Sequence, residues 1–357
     1  MLYVLILAGG VGSRLWPKSR DSLPKQFLNL TGAETMIQMS VRRISPLAPP
    51  ERIFVATGER YVDLVKEQLP LLPAQNIIAE ISGKNTAPAI GLGALHIAQA
   101  DPQATMAVLT ADHIIPGEAA FCQALQTAAA VAESGQLVTL GVIPTRPETG
   151  FGYIQRGETV SHLKGLGVYQ VKAFLEKPAL AMAQKFYESG EYYWNSGMFI
   201  WQVTALFAAL ARHMPTLSAQ LEQLREAIFK PEATATVADI WSQITAESID
   251  FGLMEKASNV AVVPLDAGWN DVGNWAALYS ELAREVGQNV AVNAQHLSID
   301  SRGVLVQGNG KLVATIGLEN VAIIETDDAI LVCAIDKTQD VKKVVERLKT
   351  EQRDNYL

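Results

Sequence analysis

The sequence has 357 residues, of which 49% are hydrophobic and 18% charged, enough to bury a substantial core in one large and one smaller domain. Its formal net charge of −8 disfavours a protein that coats nucleic acid, because such proteins normally present a broad basic face. The first apolar run, residues 2–7, is too short to span a bilayer and lacks the basic segment of a secretory signal.

The two cysteines favour a location in the cytoplasm. Cys122 and Cys333 stand in separate apolar stretches, without the spacing of a metal site. Free thiols of this kind fit a reducing compartment. We therefore expect a cytoplasmic protein that has neither a membrane nor a nucleic acid as its partner.

The first 145 residues alternate short apolar runs with helical stretches, the pattern of an α/β fold. Strands are predicted at residues 2–7, 52–57, 77–80, 105–110 and 137–142, and helices at 59–69, 86–100 and 118–134. This alternation predicts a mostly parallel sheet that is covered on both faces, with ligands at the carboxyl ends of its strands. The glycine-rich loop after the first strand and Asp112 after the fourth both fall at such ends.

After Gly150 the chain changes character. Strands that carry aromatic residues precede a helix at 180–189, residues 203–245 are predicted to be helical, and a strand at 260–265 leads into GWNDVGNW and a helix at 275–286. Short β-rich segments with Gly, Asn and Asp turns then predict an all-β appendix of brief strands or solenoid coils, closed by a helix at 341–350. We therefore predict two domains, residues 1–286 and 287–357.

The loop at residues 8–27 combines glycines with positive charge. Gly9, Gly10 and Gly12 lack the Cβ atoms that would keep backbone N–H groups away from phosphate oxygens. The four cations of the loop are Arg14, Lys18, Arg20 and Lys25. Glycines also make ordinary strand-to-helix turns, but this added charge favours a polyphosphate site. The P-loop pattern GxxxxGK[ST] is absent, and Leu15 replaces the third glycine of GxGxxG, which disfavours both of those nucleotide-binding classes.

Two aspartates are candidates for a divalent cation. Asp112 follows an apolar strand, and Asp271 lies in WNDVGNW, whose tryptophans and glycine predict a fixed turn. A single aspartate in a loop is as readily explained by turn formation or helix capping. Beside a polyphosphate loop, however, the pair suits Mg²⁺, which prefers one or two carboxylates with phosphate oxygens and waters.

A second anion site is predicted near Lys177, at the end of a strand and just before a proline. Tyr153, Glu176 and Asn195 offer a hydroxyl, a carboxylate and an amide for sugar hydroxyls, although the aromatic residues around them could equally belong to the core. The sequence has no serine, cysteine or histidine constellation for a covalent nucleophile. The chemistry is therefore expected to rest on positioning and charge neutralisation.

At this point the motifs resemble those of the nucleotide-sugar pyrophosphorylases, in particular the members that make GDP-mannose. The resemblance covers nearly the whole chain, in the order LAGGVGSRLWPKSRDSLPKQF (7–27), GKNTAPAI (83–90), LTADHII (109–115), GFGYI (150–154), FLEKP (174–178), WNSGMF (194–199), SIDFGLMEK (248–256) and WNDVGNW (269–275). It implies a Rossmann-like nucleotidyltransferase domain with a mixed, mostly parallel sheet, followed by a small β-helix-like domain. It further implies that GTP and mannose 1-phosphate give GDP-mannose and pyrophosphate, with Mg²⁺ as cofactor.

The resemblance also implies roles for individual residues. The nucleotide would be bound by Ala8, Gly9, Gly10, Gly12, Ser13, Arg14, Lys25, Glu80, Asn85, Thr86 and Asp112. The sugar phosphate would be bound by Gly152, Tyr153, Glu176, Lys177 and Asn195, and the metal by Asp112 and Asp271. Arg14, Lys25 and Lys177 would be catalytic. Guanine has N1–H and N2–H₂ donors on one edge, and the Glu80 carboxylate could accept from both, with help from Asn85.

Three alternatives stay open from the sequence. The same chemistry could use another nucleotide, or another hexose or heptose 1-phosphate, and Lys84 stands where relatives have an arginine that offers a planar, bidentate contact. A non-catalytic regulatory subunit that binds nucleotide sugars would not need the full charged set, and a metal-dependent glycosyltransferase would not need the glycine loop. The resemblance suggests a possible homodimer. Larger relatives continue into an isomerase domain beyond the position of Leu357, so we expect the transferase activity alone.

Overall fold

The computed structural model describes residues 1–10 and 12–357, apart from the side chain of Pro231. The strands are β1 (Leu2–Ala8), β2 (Ile53–Gly58), β3 (Ile77–Glu80), β4 (Thr105–Thr110), β5 (Leu137–Val142), β6 (Tyr153–Leu163), β7 (Leu166–Leu175), β8 (Tyr192–Gln202), β9 (Val260–Leu265), β10 (Val290–Val292), β11 (Gln295–Ile299), β12 (Leu305–Gln307), β13 (Leu312–Ile316), β14 (Val321–Glu325) and β15 (Ile330–Ala334). The helices are α1 (Met36–Ile44), α2 (Val62–Gln68), α3 (Thr86–Ala100), α4 (Glu118–Ala132), α5 (Leu180–Ser189), α6 (Val203–His213), α7 (Pro215–Ala227), α8 (Thr234–Gln243), α9 (Trp275–Leu282) and α10 (Val341–Thr350).

The chain divides into two compact units. The first unit consists of Met1–Gly9, Val41–Thr110 and Ile115–Trp269, and the second of Gly10–Ser40, Ala111–Ile114 and Asn270–Leu357. The domain boundary predicted between residues 286 and 287 stays a prediction. Most of the glycine-rich loop and both candidate metal ligands therefore belong to the second unit.

The first unit is built on a nine-stranded mixed sheet in the order β3-β2-β1-β4-β8-β5-β9-β7-β6. The predicted strands of the first 110 residues pair in parallel. β1 is an uninterrupted apolar run with most of its residues buried, as expected of a strand that is covered on both faces. The mixed α/β fold is confirmed. Its parallel part is narrower than the alternation predicts, since β8 pairs antiparallel with both β4 and β5.

A long hairpin, β6–β7, forms one edge of this sheet. Its strands are joined by Lys164 and Gly165, whose φ angles of 50° and 82° match a two-residue type I′ turn. The end of the hairpin near Tyr153 also pairs with β8, so residues on β6, β7 and β8 meet at one place in the sheet. This is where the predicted sugar-binding residues lie.

The second unit contains the predicted β-helix-like segment. Strands β10, β12 and β14 stack in parallel, with β15 antiparallel at the end, and β11 pairs in parallel with β13. Val290 pairs with Leu305, 15 positions later, whereas Leu305 pairs with Ala322, 17 positions later. The coils therefore differ in length, which explains why no repeat of constant period is visible in the sequence.

The core of the second unit joins part of the glycine-rich loop to the β-rich segment, which comprises β10 to β15 (residues 290–334). Leu15 and Trp16 are buried in one cluster with Trp275, Leu305 and Leu348. The first unit has its own core around the central strands. Among residues 1–10 and 12–357, no helix combines the length and the apolar character that crossing a membrane requires.

Candidate active site

Gly12 is needed where it stands because of Lys25. Its φ angle is 74°, in the left-handed region that favours glycine, and a Cβ atom on Gly12 would lie 2.6 Å from the Cβ of Lys25. By contrast, a Cβ atom on Gly10 would meet no atom within 4 Å. The glycine-rich loop thus has one position, Gly12, that no other residue can occupy without displacing a predicted catalytic lysine.

Lys25 connects the two candidate metal ligands within the second unit. Its side chain is only 6% exposed, and Nζ lies 2.9 Å from Asp112 Oδ2 and also donates to the backbone carbonyl of Asp271. Desolvation opposes the ionisation of Asp112, but the charge and hydrogen bond of Lys25, together with His113, hold the pKa of Asp112 below its usual value. The Asp112 side chain keeps 39% of its surface exposed, so this ionised carboxylate is open to a ligand.

Asp271 is held in a tight turn. Val272 has φ 44°, an unfavourable conformation for a β-branched residue, and its N–H donates to Asn270 Oδ1 at 2.8 Å. The N–H of Gly273 donates to Asp271 Oδ1 at 3.3 Å. Backbone strain of this kind persists only where surrounding structure enforces it, and here it fixes the carboxylate of Asp271.

The segments that carry the two aspartates pair with each other. Ile114 and Asn270 exchange backbone hydrogen bonds of 2.9 Å in both directions, as an antiparallel bridge. This bridge and the contact of Lys25 with both residues hold the backbone segments of Asp112 and Asp271 next to each other. Their roles as metal ligands remain a proposal.

The four cations of the loop separate into two groups. Arg14 is exposed, and no hydrogen bond or ion pair of its side chain occurs among the residues that the structure describes. Lys18 donates to the carbonyl of Gly308 at 3.0 Å, and Arg20 forms an ion pair of 2.8 Å with Asp328. The expectation that all four cations serve one phosphate site is therefore corrected, because two of them are bound by the β-rich segment.

Glu80, the predicted guanine acceptor, ends β3 in the first unit. It is buried, and its Oε1 lies 3.8 Å from where a Cβ atom on Gly9 would stand. Burial raises the pKa of Glu80 to about 7. Near neutral pH the Glu80 carboxyl is therefore divided between its protonated and its ionised form. A hydrogen-bond donor such as guanine would shift it towards the ionised form.

Asn85 and Thr86, also predicted to bind the nucleotide, help to start α3. Asn85 has φ 69°, and its Oδ1 accepts from the Thr86 N–H at 2.8 Å. The hydroxyl of Thr86 accepts from the Ile249 N–H at 2.9 Å. Lys84 donates to the carbonyl of Ser242 at 3.0 Å. These contacts give the segment a structural role, and direct contact with the base stays a prediction.

The predicted sugar-binding residues come together in the first unit. Lys177 follows the end of β7, has φ 43°, and its Nζ lies 2.6 Å from Glu176 Oε1. A Cβ atom on Gly152 would lie 2.7 Å from Glu176 Oε2 and 3.4 Å from the Cβ of Asn195. Gly152 thus allows the Glu176 carboxylate and the Asn195 side chain to approach the backbone of the GFGYI segment.

Asp250 is a member of this cluster that the sequence analysis does not single out. The amide of Asn195 donates from Nδ2 to Asp250 Oδ1 at 2.7 Å. Burial raises the pKa of Asp250, and the nearby charge of Glu176 adds to this effect, while the Asn195 hydrogen bond opposes it. Its place inside the motif SIDFGLMEK is the only signal that could have revealed it, since spacing alone does not bring residue 250 beside residue 195.

Tyr153, predicted to contact the sugar, has its hydroxyl hydrogen-bonded within the fold. Its side chain is fully buried, and its hydroxyl donates to the Glu148 carbonyl at 2.8 Å and accepts from the Glu148 N–H at 3.0 Å. With both hydrogen bonds made inside the fold, the hydroxyl holds the turn at residue 148. The predicted contact of Tyr153 with the sugar stays a prediction.

Two family profiles together match most of the chain. The profile described as "Nucleotidyl transferase" matches residues 3–286, and that of the "MannoseP isomerase/GMP-like beta-helix domain" matches residues 294–348. The chain is 42% identical over 362 residues to a mannose-1-phosphate guanylyltransferase of Escherichia coli, covering 100% of this chain and 76% of the relative.

Two further proteins show similarity along almost the full chain. The xanthan biosynthesis protein XanB of Xanthomonas campestris pv. campestris is 42% identical over 352 residues, covering 98% of this chain and 73% of XanB. A crystal structure from Thermus thermophilus, described as a mannose-1-phosphate geranyltransferase, is 34% identical with a TM-score of 0.89, covering 98% of this chain and 99% of that one.

Proposed function

Because the chain belongs to the nucleotidyl transferase family and carries the MannoseP isomerase/GMP-like β-helix domain, we propose that it converts GTP and α-D-mannose 1-phosphate into GDP-mannose and pyrophosphate. The choice of substrates is supported by the guanylyltransferase of Escherichia coli at 42% identity. The observation that carries the proposal is the contact of Lys25 with both Asp112 and Asp271, beside the turn at Gly12.

The reaction is an in-line displacement at phosphorus. An oxygen of the sugar phosphate attacks the α-phosphorus of GTP, a new P–O bond forms, and the bond from the α-phosphorus to the bridging oxygen breaks. The electron pair leaves with pyrophosphate. The attacking phosphate is already ionised near pH 7, so no general base is required, and catalysis rests on positioning and electrostatic stabilisation.

Positive side chains offset the repulsion between the two polyanionic substrates. The exposed guanidinium of Arg14 would hold phosphates of GTP. Lys25, buried and paired with Asp112, would neutralise charge that develops at the α-phosphate. Lys177 would hold the phosphate of the sugar, in exchange for its present ion pair with Glu176.

The donor set of the second unit fits Mg²⁺. The cation prefers one or two carboxylates with phosphate oxygens and waters, and the ionised, partly exposed Asp112 stands beside Asp271 through their shared contact with Lys25. No group of three or more His, Cys, Asp or Glu side chains that could hold a metal occurs in the described part of the chain. Asp112 and Asp271 would hold the ion, which when bound would neutralise phosphate charge as a Lewis acid.

Guanine and mannose would each be recognised by polar groups of the first unit. Ionised Glu80 would accept from N1–H and N2–H₂ of guanine, a pattern that adenine, thymine and uracil do not present. Glu176 and the amide of Asn195 would contact mannose hydroxyls, with Gly152 leaving them room. Asp250 would keep the Asn195 amide in a fixed orientation.

A pyrophosphate-release assay tests the proposal. The protein would be given each of GTP, ATP, UTP and dTTP with mannose 1-phosphate, with and without Mg²⁺, and GTP with glucose 1-phosphate and a heptose 1-phosphate. We expect release with GTP, mannose 1-phosphate and Mg²⁺ to exceed every other combination. Release that is faster with another nucleotide or sugar phosphate would refute the substrate assignment, and none at all would favour a regulatory binder. The cytoplasmic location and the homodimer stay predictions.

A further inference from the structure

Two cations of the phosphate loop, the glycine-rich loop at residues 8–27, form contacts with the β-rich segment of the same unit. Nζ of Lys18 donates to the carbonyl of Gly308, in the turn after β12, at 3.0 Å. Nη2 of Arg20 lies 2.8 Å from Oδ1 of Asp328, in the turn before β15. Both cations stand between Arg14 and Lys25 in the chain.

Both partners of the Arg20–Asp328 ion pair make further contacts. Its Nε donates to the carbonyl of Pro17 at 2.6 Å, its guanidinium lies 5.6 Å from the ring centre of Trp16, and its side chain is only 11% exposed. The carboxylate of Asp328 is also held by the hydroxyl of Thr326 at 2.9 Å. These contacts restrain the planar guanidinium of Arg20 and the carboxylate of Asp328 in one relative orientation.

Lys18 is equally committed to the β-rich segment. Burial lowers the pKa of Lys18, and the nearby carboxylates of Glu325 and Asp327 oppose this effect without reversing it. Its Nζ is held by the carbonyl of Gly308. It is therefore not a mobile phosphate ligand.

Hydrogen bonds from two tryptophan side chains connect the same segment to the helix after Asp271 and to the C-terminal residues. The indole N–H of Trp275 donates to the carbonyl of Trp16 at 3.1 Å, and that of Trp16 donates to the carbonyl of Tyr356 at 2.8 Å. Trp275 opens α9, four residues after Asp271. The segment at residues 16–20 is thus held by the β-rich segment, by the metal-site turn and by the C-terminal residues.

We propose that Lys18, Arg20 and Asp328 are positioning residues that anchor the phosphate loop for GTP. This loop anchor, defined as the contacts Lys18–Gly308 and Arg20–Asp328, fixes the chain between Arg14 and Lys25, so that both reach the phosphates without a further loss of loop entropy. The inference rests on the proposed function, because it assigns the β-rich segment a role in binding the triphosphate. None of its three residues needs to touch the nucleotide.

The test uses Asp328→Ala and the matched control Glu319→Gln, which breaks an exposed ion pair of 3.0 Å with Arg302 elsewhere in the β-rich segment. In Asp328→Ala we expect the Kd of GTP, measured by calorimetry, to rise about three- to tenfold, with the KM of mannose 1-phosphate within about twofold of the wild type. Asp328→Glu, which keeps the charge, is expected to restore most of the affinity. The control is expected to match the wild type.

Hydrogen exchange over residues 13–27 separates the loop anchor from the proposed function. Without any ligand, these amides are expected to exchange faster in Asp328→Ala than in the wild type and in Glu319→Gln. If the wild type binds no GTP, the proposed function fails, yet the exchange comparison still decides whether the loop is anchored. Unchanged exchange, or equal losses for both substrates, would overturn the inference. Lys18→Met is expected to show the same defects and serves if Asp328→Ala does not fold.

Discussion

Lys25 is the central side chain of the proposed triphosphate site. A buried lysine is stable when a carboxylate compensates its charge, and here Asp112 does so while keeping one side open. The same contact keeps Asp112 ionised, as a divalent cation requires. One ion pair therefore holds both the cation proposed for phosphate and the carboxylate proposed for the metal.

Removal of either candidate metal ligand tests this arrangement. Asp112→Ala and Asp271→Ala are each expected to lower kcat by about 10²–10⁴, because each removes an electrostatic partner of the transition state. Steady-state pyrophosphate release over a range of Mg²⁺ concentrations provides the measurement, and circular dichroism checks that each variant is folded. Turnover close to that of the wild type in both variants would refute the metal assignment.

The titration of Glu80 predicts a pH dependence of GTP binding. Guanine requires the carboxylate, and with a pKa of about 7 the ionised fraction of Glu80 falls as the pH drops from 8 to 6. The Kd of GTP is therefore expected to rise about tenfold over this interval, since apparent affinity follows the competent fraction. Calorimetry at constant Mg²⁺ measures it.

The control for this prediction is Glu80→Gln, which cannot titrate. At pH 8 it is expected to bind GTP about 10- to 100-fold more weakly than the wild type, because a charge-assisted contact to the base is lost. The part of the pH dependence that comes from the phosphates of GTP persists in this variant. An identical pH profile in both proteins would exclude Glu80 as the base acceptor.

Among the elements, the turn at Gly12 couples backbone conformation to the position of Lys25. Gly12→Ala is expected to destabilise the protein by about 1–3 kcal/mol, because alanine is strained at φ 74° and its Cβ would collide with Lys25. Thermal unfolding provides the measurement. Gly10→Ala is the matched control, and its free energy of unfolding is expected to change by less than about 0.5 kcal/mol, since the space there is open. Equal stability of the two variants would contradict this account.

Local sequence patterns were sufficient for most elements of the fold. The predicted helices at 86–100 and 341–350 coincide with α3 and α10. α3 is a long apolar stretch that begins at the Asn85 cap, and α10 has one apolar face, so both are defined within one segment. The central position of β8 was not predictable, since it depends on pairing with strands that lie far away in the sequence. The same holds for Asp250, which reaches Asn195 only through the fold.

At the candidate site, the types of residue were predictable from the sequence, but the contacts that each side chain makes were not. The four cations of the phosphate loop look alike in the sequence, yet only contacts with Gly308 and Asp328 distinguish Lys18 and Arg20 from the other two. Tyr153 likewise offers a hydroxyl in the sequence, and only the fold shows that this hydroxyl forms hydrogen bonds with the Glu148 backbone. Such distinctions require the partner atoms, which lie 5 to 308 positions away in the chain.

On the scale of the whole molecule, the two units carry groups suited to different parts of the reaction. The second unit contributes the residues proposed for the triphosphate and the metal, and its β-rich segment shares a core with the loop that carries them. The first unit contributes the groups proposed for guanine and for the sugar phosphate. The β-rich segment is thus part of the nucleotide-binding apparatus in this account.

The fate of the three phosphorus atoms of GTP tests the central claim most directly. With mannose 1-phosphate and Mg²⁺, label from [α-³²P]GTP is expected to appear in GDP-mannose and label from [γ-³²P]GTP in pyrophosphate, in equal amounts. Label transfer is expected to fall in parallel with kcat in Asp271→Ala. Release of α-label as GMP, or of γ-label as inorganic phosphate before any pyrophosphatase is added, would contradict attack of the sugar phosphate on the α-phosphorus.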